Sequence, residues 1–253
     1  MTLESLPRGY HAAVFGASGG LGAAFISALH ADPRCGVVYA GSRAAWTFAA
    51  DGNVDKESKV RTFRFELADE DSIECAAARC ARDGPLHLIL VTTGMLHDAD
   101  TRPEKSWRAL STTALNRAFM VNAVGPALIA KHMLGALATG DKAVFAALSA
   151  RVGSIADNRL GGWHAYRASK AALNMIIRTC AIELAVRNKS AACITLHPGT
   201  VDTRLSLPFQ AGIKPESLFT PAQSVRHLLR VIDRVEPCQT GRLLAWDGAE
   251  IPF

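Results

Sequence analysis

The chain has 253 residues, 49% hydrophobic and 20% charged, with a net charge of +5. That length holds one large α/β domain or two small ones, with ample apolar material for a core. The basic residues are scattered without a Lys/Arg run, which argues against a nucleic-acid-binding tail, and no apolar run approaches the ~20 residues of a membrane span.

Six cysteines stand at 35, 75, 80, 180, 193 and 238, with no C-x-x-C and no His/Cys cluster at zinc spacing. Reduced thiols in a cytoplasmic protein without a metal are therefore expected. Residues 8–31 open with Arg8 and small apolar residues, as a signal peptide does, but Gly16, Gly19, Gly20 and Gly22 interrupt the run.

In chain order, short β-rich apolar runs fall at 12–16, 36–40, 60–65, 86–93, 143–148, 192–197 and 241–246. Helix-length segments lie at 20–31, 69–82, 106–138, 166–188 and 221–235. Residues 41–59 follow neither pattern. Several of the runs, such as "AVFAAL" at 143–148, are continuously apolar, as strands buried on both faces are. No repeat, low-complexity tract or dividing linker appears, so residues 1–253 read as one domain. Alternating strands and helices with right-handed crossovers give a doubly wound, mainly parallel sheet with helices on both faces. Ligands in such sheets bind outside the carboxyl ends of the strands, here near 16–22, 41–43, 66–69, 92–94, 148–154 and 197–204.

The first strand runs into "GASGGLG", with Gly16, Gly20 and Gly22 opening a helix. Glycine permits a tight turn and close approach of backbone to a pyrophosphate, and the helix start offers free N–H groups. The second strand ends in Ser42 and Arg43 where an NAD site would place an acid. A guanidinium there suits the 2′-phosphate of NADP, so NADP(H) is expected over NAD(H). Glu66 closes the third strand, where it could accept from an adenine amino group or serve only as one of several helix-start acids. "TTG", with Thr93 and Gly94, ends the fourth.

Asn122 interrupts an apolar helical pattern, where asparagine is a poor helix former and costly to bury unpaired. Holding a water or bending the helix would account for it. Tyr166 and Lys170 stand at i and i+4, on one helix face. A nearby ammonium favours the phenolate, which gives Tyr166 a route to proton exchange with a carbonyl oxygen. Ser149 and Ser154 both lie near the end of the fifth strand, where a hydroxyl could polarise the same oxygen.

These residues in this order resemble the short-chain dehydrogenase/reductase family. "LSARVGSIADNRLGGWHAYRASKAALN" and the final "AWDGAEIPF" are similar to its carbonyl-reductase and C-factor-like branch. The resemblance implies a seven-stranded sheet of order 3-2-1-4-5-6-7 and hydride transfer between a nicotinamide and a carbonyl or secondary-alcohol substrate. Tyr166 would be the acid–base, and Lys170 would bind the nicotinamide ribose and lower the tyrosine pKa. Asn122 would support a water. Ser18, Leu21 and Leu67 join the implied cofactor contacts, and Pro198, Gly199 and Thr203 would flank the nicotinamide, with residues 200–219 as an apolar substrate loop. A homodimer or homotetramer through the two long helices is also implied.

The sequence departs from the family at Phe15, Glu66 and Thr93. Above all, Ala150 holds the usual catalytic serine position. Ser149 is expected to supply the hydroxyl, with Ser154 as the alternative. The displaced serine keeps open a second reading, a nucleotide-binding regulator or scaffold with little turnover.

Overall fold

The computed structural model describes residues 1–44, 48, 58–98 and 100–253, so most of the irregular span 41–59 lies outside the described residues. The described strands are β1 (Tyr10–Phe15), β2 (Cys35–Ser42), β3 (Val60–Arg64), β4 (Leu88–Val91), β5 (Ala143–Leu148), β6 (Ala191–His197), β7 (Thr200–Val201), β8 (Leu218–Phe219), β9 (Leu243–Ala245) and β10 (Glu250–Ile251). The helices are α1 (Gly20–Ala31), α2 (Glu70–Ala81), α3 (Thr112–Phe119), α4 (Gly125–Met133), α5 (His164–Arg187) and α6 (Pro221–Arg234).

Eight strands form the main sheet in the order β10-β9-β6-β5-β4-β1-β2-β3. Seven of them are parallel, as expected. The eighth, β10, is an antiparallel edge strand returning on β9 through a turn at Gly248 (φ +90°). It escaped sequence reading because two residues carry no periodicity.

Alternation along the strands builds two cores. Ala13 and Phe15 of β1 face Ile73 of α2, Ile129 of α4 and Leu173 of α5. Ala12 and Val14 face the other way, toward Phe25 of α1 and Leu228 of α6. All six residues of β5 are buried, as a central parallel strand requires. The helices start where their capping chemistry sets them. Asp69 accepts from the Ser72 amide to cap α2, and Thr220 with Gln223 forms a capping box ahead of Pro221 in α6. The N-cap of α1 is Gly19, which offers no side chain, so the first amides of that helix stay free for a ligand.

The single helix expected over 106–138 is instead α3, a π-helical turn at Met120–Val124, and α4. Pro126 explains the break. It has no N–H for the carbonyl of Asn122 four residues earlier, and its ring crowds that carbonyl. The widened turn relieves both problems. Asn122 therefore sits within the π-helical turn.

The parallel pair β7–β8 pins both ends of the segment between them, and the Asp202 amide donates to the Phe219 carbonyl at 2.8 Å. The expected substrate loop is thus a closed strap. No helix among the described residues is long and apolar enough to cross a membrane, and no group of three or more metal-ligating side chains occurs among them.

Candidate active site

A cavity of about 270 Å³ opens at the carboxyl ends of β4, β5 and β6. It brings together Leu21, Thr93, Gly94, Ser149, Tyr166, Lys170, Pro198, Gly199 and Thr203 from the sequence-derived set. The glycine turn lies at its edge. Gly16 adopts φ +105°, and a Cβ on Gly22 would fall 2.1 Å from the Gly16 carbonyl oxygen. Only glycine closes that turn, which leaves the start of α1 bare toward the strand ends. Ser18 lies exposed in the same turn.

Farther along the sheet, Ser42 donates to the Ala44 carbonyl at 2.6 Å, and Arg43 is exposed at the end of β2 with no acid paired to it among the described residues. Glu66 is exposed and accepts from the Leu67 amide, while Leu67 is buried against Gly125, where a Cβ would lie 2.5 Å from it. These four residues do not reach the cavity. They lie beyond β1, toward the β2–β3 edge.

Thr92, which sequence reading passed over, ties the two parts together. Its hydroxyl donates to the Phe15 carbonyl at 2.9 Å, so the end of β4 is bound to the start of the glycine turn. The neighbouring Thr93 hydroxyl is buried in the cavity wall without a partner. An orphaned hydroxyl at that place fits a ligand that brings its own polar groups, as a ribose does.

Asn122 is fully buried and lies just behind the cavity. Its Oδ1 accepts from the Met95 amide and its Nδ2 donates to the Met95 carbonyl, both at 2.8 Å. A third bond runs from Nδ2 to the Ser169 hydroxyl at 3.0 Å, and that hydroxyl donates to the Tyr166 carbonyl at 2.9 Å. Asn122 thus links the β4 loop to the helix bearing Tyr166.

On α5, Tyr166, Lys170 and Asn174 recur every four residues and face the end of β5. The Lys170 ammonium donates to the Leu148 carbonyl at 2.8 Å and stands 5.9 Å from the Tyr166 ring centre. Both side chains are buried. Burial pushes the Tyr166 phenol up and brings Lys170 down to about 7. The phenol therefore holds its proton at neutral pH, and the amine is poised near half-protonation. His197, also in the wall, is held neutral, with burial lowering it to about 4.

The two serines part company. Ser149 lines the cavity, continues the ladder beyond β5 by donating its amide to the Leu196 carbonyl, and donates its hydroxyl to Asn174 Oδ1 at 2.7 Å. Ser154 stands outside the cavity lining and accepts from the Asp157 amide at 3.0 Å, capping a turn. Ala150 also lines the cavity but brings no hydroxyl. Sequence reading missed Asn174, whose i+4 spacing after Lys170 was the signal that could have found it.

The outer wall is aromatic. Trp163 stacks obliquely on Phe209 at 5.0 Å and meets Tyr166 edge-on at 6.4 Å, and His97 meets Phe209 at 5.6 Å. The His97 Nε2 also lies 3.1 and 3.2 Å from the Arg204 and Leu205 carbonyls. The strap is thereby fastened across the cavity mouth.

Among known proteins, the chain is 38% identical over 137 residues to the C-signal of Myxococcus xanthus, covering 54% of this chain and 77% of that protein. It is 29% identical over 183 residues to the 1-hydroxy-2-glutathionyl-2-methyl-3-butene dehydrogenase of Rhodococcus sp., covering 72% and 76%. Its fold superposes on the NADPH-bound carbonyl reductase from chicken fatty liver with a TM-score of 0.79 at 22% identity, covering 99% and 97% of the two chains. Residues 10–213 match the short chain dehydrogenase family model, and with the parallel sheet of order 3-2-1-4-5-6 they make this chain a member of that family.

Proposed function

We propose that the chain is an NADP(H)-dependent oxidoreductase that interconverts a carbonyl compound and an alcohol in the cavity beside Tyr166. The observation that carries this reading is the buried Tyr166–Lys170 pair in a cavity walled by the ends of β4, β5 and β6. The bare start of α1, the Gly16–Gly22 contact and the orphaned Thr93 hydroxyl fit a dinucleotide running from the glycine turn into the cavity. Gly94 leaves room there, since a Cβ would stand 3.7 Å from both Asn122 Oδ1 and Lys170 Nζ. Exposed Arg43 favours the phosphorylated dinucleotide. Residues 1–253 act as one unit, with 200–219 as the substrate loop.

When bound, the nicotinamide supplies or accepts the hydride at the substrate carbon. In the reducing direction, the carbonyl oxygen would take the proton of the Tyr166 phenol as its carbon is reduced, giving the alcohol and leaving a phenolate. The protonated Lys170 stabilises the phenolate left behind. Ser149 turns its hydroxyl from Asn174 to the carbonyl oxygen and shares its charge. Asn122 keeps the β4 loop and α5 in register and orders a water through which Lys170 is reprotonated.

NADPH oxidation followed with aldehydes, ketones and quinones tests the reading, together with the Tyr166→Phe variant. Turnover that persists in this variant would remove Tyr166 from the acid–base role. Cofactor binding without oxidation across the panel would favour the regulatory alternative. Arg43→Ala should weaken NADPH about tenfold and leave NADH unchanged, and equal effects on both would refute the NADP preference. The apolar stripe of Met175, Ile182 and Val186 exposed on α5 supports pairing of two copies through that helix, and sedimentation as a monomer would remove that element.

A further inference from the structure

The entry to α5 is shaped by two unfavourable features that meet at one point. Trp163 has φ 52° and ψ 41°, and it is the one non-glycine residue with positive φ among the described residues. It follows Gly161 and Gly162 at φ 64° and 66°. Glycine tolerates that region, whereas a bulky residue is held there only by its surroundings.

The second feature is Glu104, a carboxylate 5% exposed that arrives from the segment between β4 and α3. Its carbonyl accepts from the Trp163 amide at 2.5 Å, and its Oε2 accepts from the Ala165 amide at 3.2 Å. Its Oε1 is buried without a partner. Trp163 gives α5 no side-chain cap, so Glu104 caps the helix from 61 residues away. The positive end of the helix offsets part of the cost of burying the carboxylate.

What the arrangement fixes is the Trp163 ring, which lines the cavity and meets Phe209 of the strap at 5.0 Å. Phe209 in turn meets His97. Truncating Trp163 would open the outer wall toward the strap. We propose that Glu104, which does not itself line the cavity, sets the size limit of the substrate by seating Trp163 against Phe209. It is a positioning residue, and the inference rests on the carbonyl-reducing reading above.

Benzaldehyde and 1-naphthaldehyde serve as compact and bulky probes, with NADPH and the full chain. Glu104→Ala should raise the ratio of kcat/KM for the bulky over the compact aldehyde by about tenfold, mainly through KM. Trp163→Gly, which keeps the backbone conformation without the ring, should do the same. The double variant should go no further than Trp163→Gly alone, because Glu104 acts through that ring. Glu104→Gln keeps an acceptor for Ala165 and should stay within about twofold of the original ratio. A cap of purely structural importance would lower stability and leave the ratio unmoved. An unmoved ratio in Glu104→Ala, or additive effects in the double variant, would overturn the proposal. If Glu104→Ala does not fold, Glu104→Asp carries the same expectation at smaller amplitude.

A second measurement needs no cofactor: quenching of tryptophan fluorescence by 1-naphthalenemethanol should show tighter binding in Glu104→Ala, and binding equal to the parent protein's would also count against the proposal. If the parent protein oxidises no NADPH with these aldehydes or with the ketones and quinones of the panel, the carbonyl-reducing reading fails, while this binding comparison still decides the role of Glu104.

Discussion

Replacing Lys170 by methionine isolates the electrostatics of the cavity. The ammonium has a hydrogen bond to the Leu148 carbonyl but no carboxylate partner among the described residues, and burial lowers it from 10.5 to about 7. A lowered value means that the unfolded chain keeps a proton the folded chain has released. Stability is fullest above pH ~10.5 and is lost as pH falls through the window toward about 7. At about 1.36 kcal/mol per pH unit, the whole window amounts to roughly 5 kcal/mol as an upper bound, and the part between pH 7 and 9 to about 2 kcal/mol. Methionine has similar length and no charge to desolvate. Urea unfolding at pH 7, 8 and 9 should therefore show the parent protein gaining about 2 kcal/mol more than Lys170→Met over that range. Other titrating groups cancel in the difference. Parallel pH dependences would show that Lys170 keeps its ordinary value, and the poised amine would have to be abandoned. NADPH oxidation by the variant should fall at least about 100-fold, since the phenolate loses its counter-charge.

Asn122→Leu should destabilise the protein by about 2–5 kcal/mol in urea unfolding, because the Met95 amide and carbonyl both lose their partner. Gly22→Ala should lower stability by several kcal/mol and weaken NADPH binding at least about tenfold by calorimetry, since its Cβ would meet the Gly16 carbonyl oxygen at 2.1 Å. Ser149→Ala should reduce kcat by about 100-fold with little change in the melting temperature, while Ser154→Ala should leave turnover near normal. Near-normal turnover of Ser149→Ala would mean that carbonyl polarisation does not depend on this hydroxyl.

The sheet was legible because its strands carry their burial in their composition. "AVFAAL" at 143–148 has no polar face, and the structure buries every residue of it. The glycine turn and the Tyr166–Lys170 pair were legible because both are local, one needing only a conformation and the other only helical spacing. The helix break at 120–124 was half legible. Asn122 marked a fault in the pattern, and the missing N–H of Pro126 gives its cause, but neither predicts a π-turn over a simple kink. Glu104 was not legible at all. Its cap on Ala165 joins residues 61 positions apart, and nothing in "RPEKS" distinguishes it from a solvated surface acid. The doublet Gly161–Gly162 did announce an unusual backbone, without showing that Trp163 would share it.

The resting protons of the cavity bear on the proposed carbonyl reduction. Tyr166 has no hydrogen-bond acceptor for its hydroxyl among the described residues, and burial holds its proton on. Ser149 donates its hydroxyl hydrogen bond to Asn174 Oδ1 rather than into the cavity. Lys170 sits near half-protonation at neutral pH. A carbonyl oxygen entering such a site meets one acid ready to donate, Tyr166, and one hydroxyl that must first turn away from Asn174. An alcohol entering the same site meets Tyr166 with its proton held on by burial. On the proposed reading, the resting cavity is therefore set to donate a proton to a carbonyl oxygen. The shift of the serine by one residue need not abolish this chemistry. Ser149 keeps its backbone place in the ladder and lies against the same cavity as Ala150, with a partner that accepts its hydrogen bond at rest. Asn174, one turn beyond Lys170, is that partner.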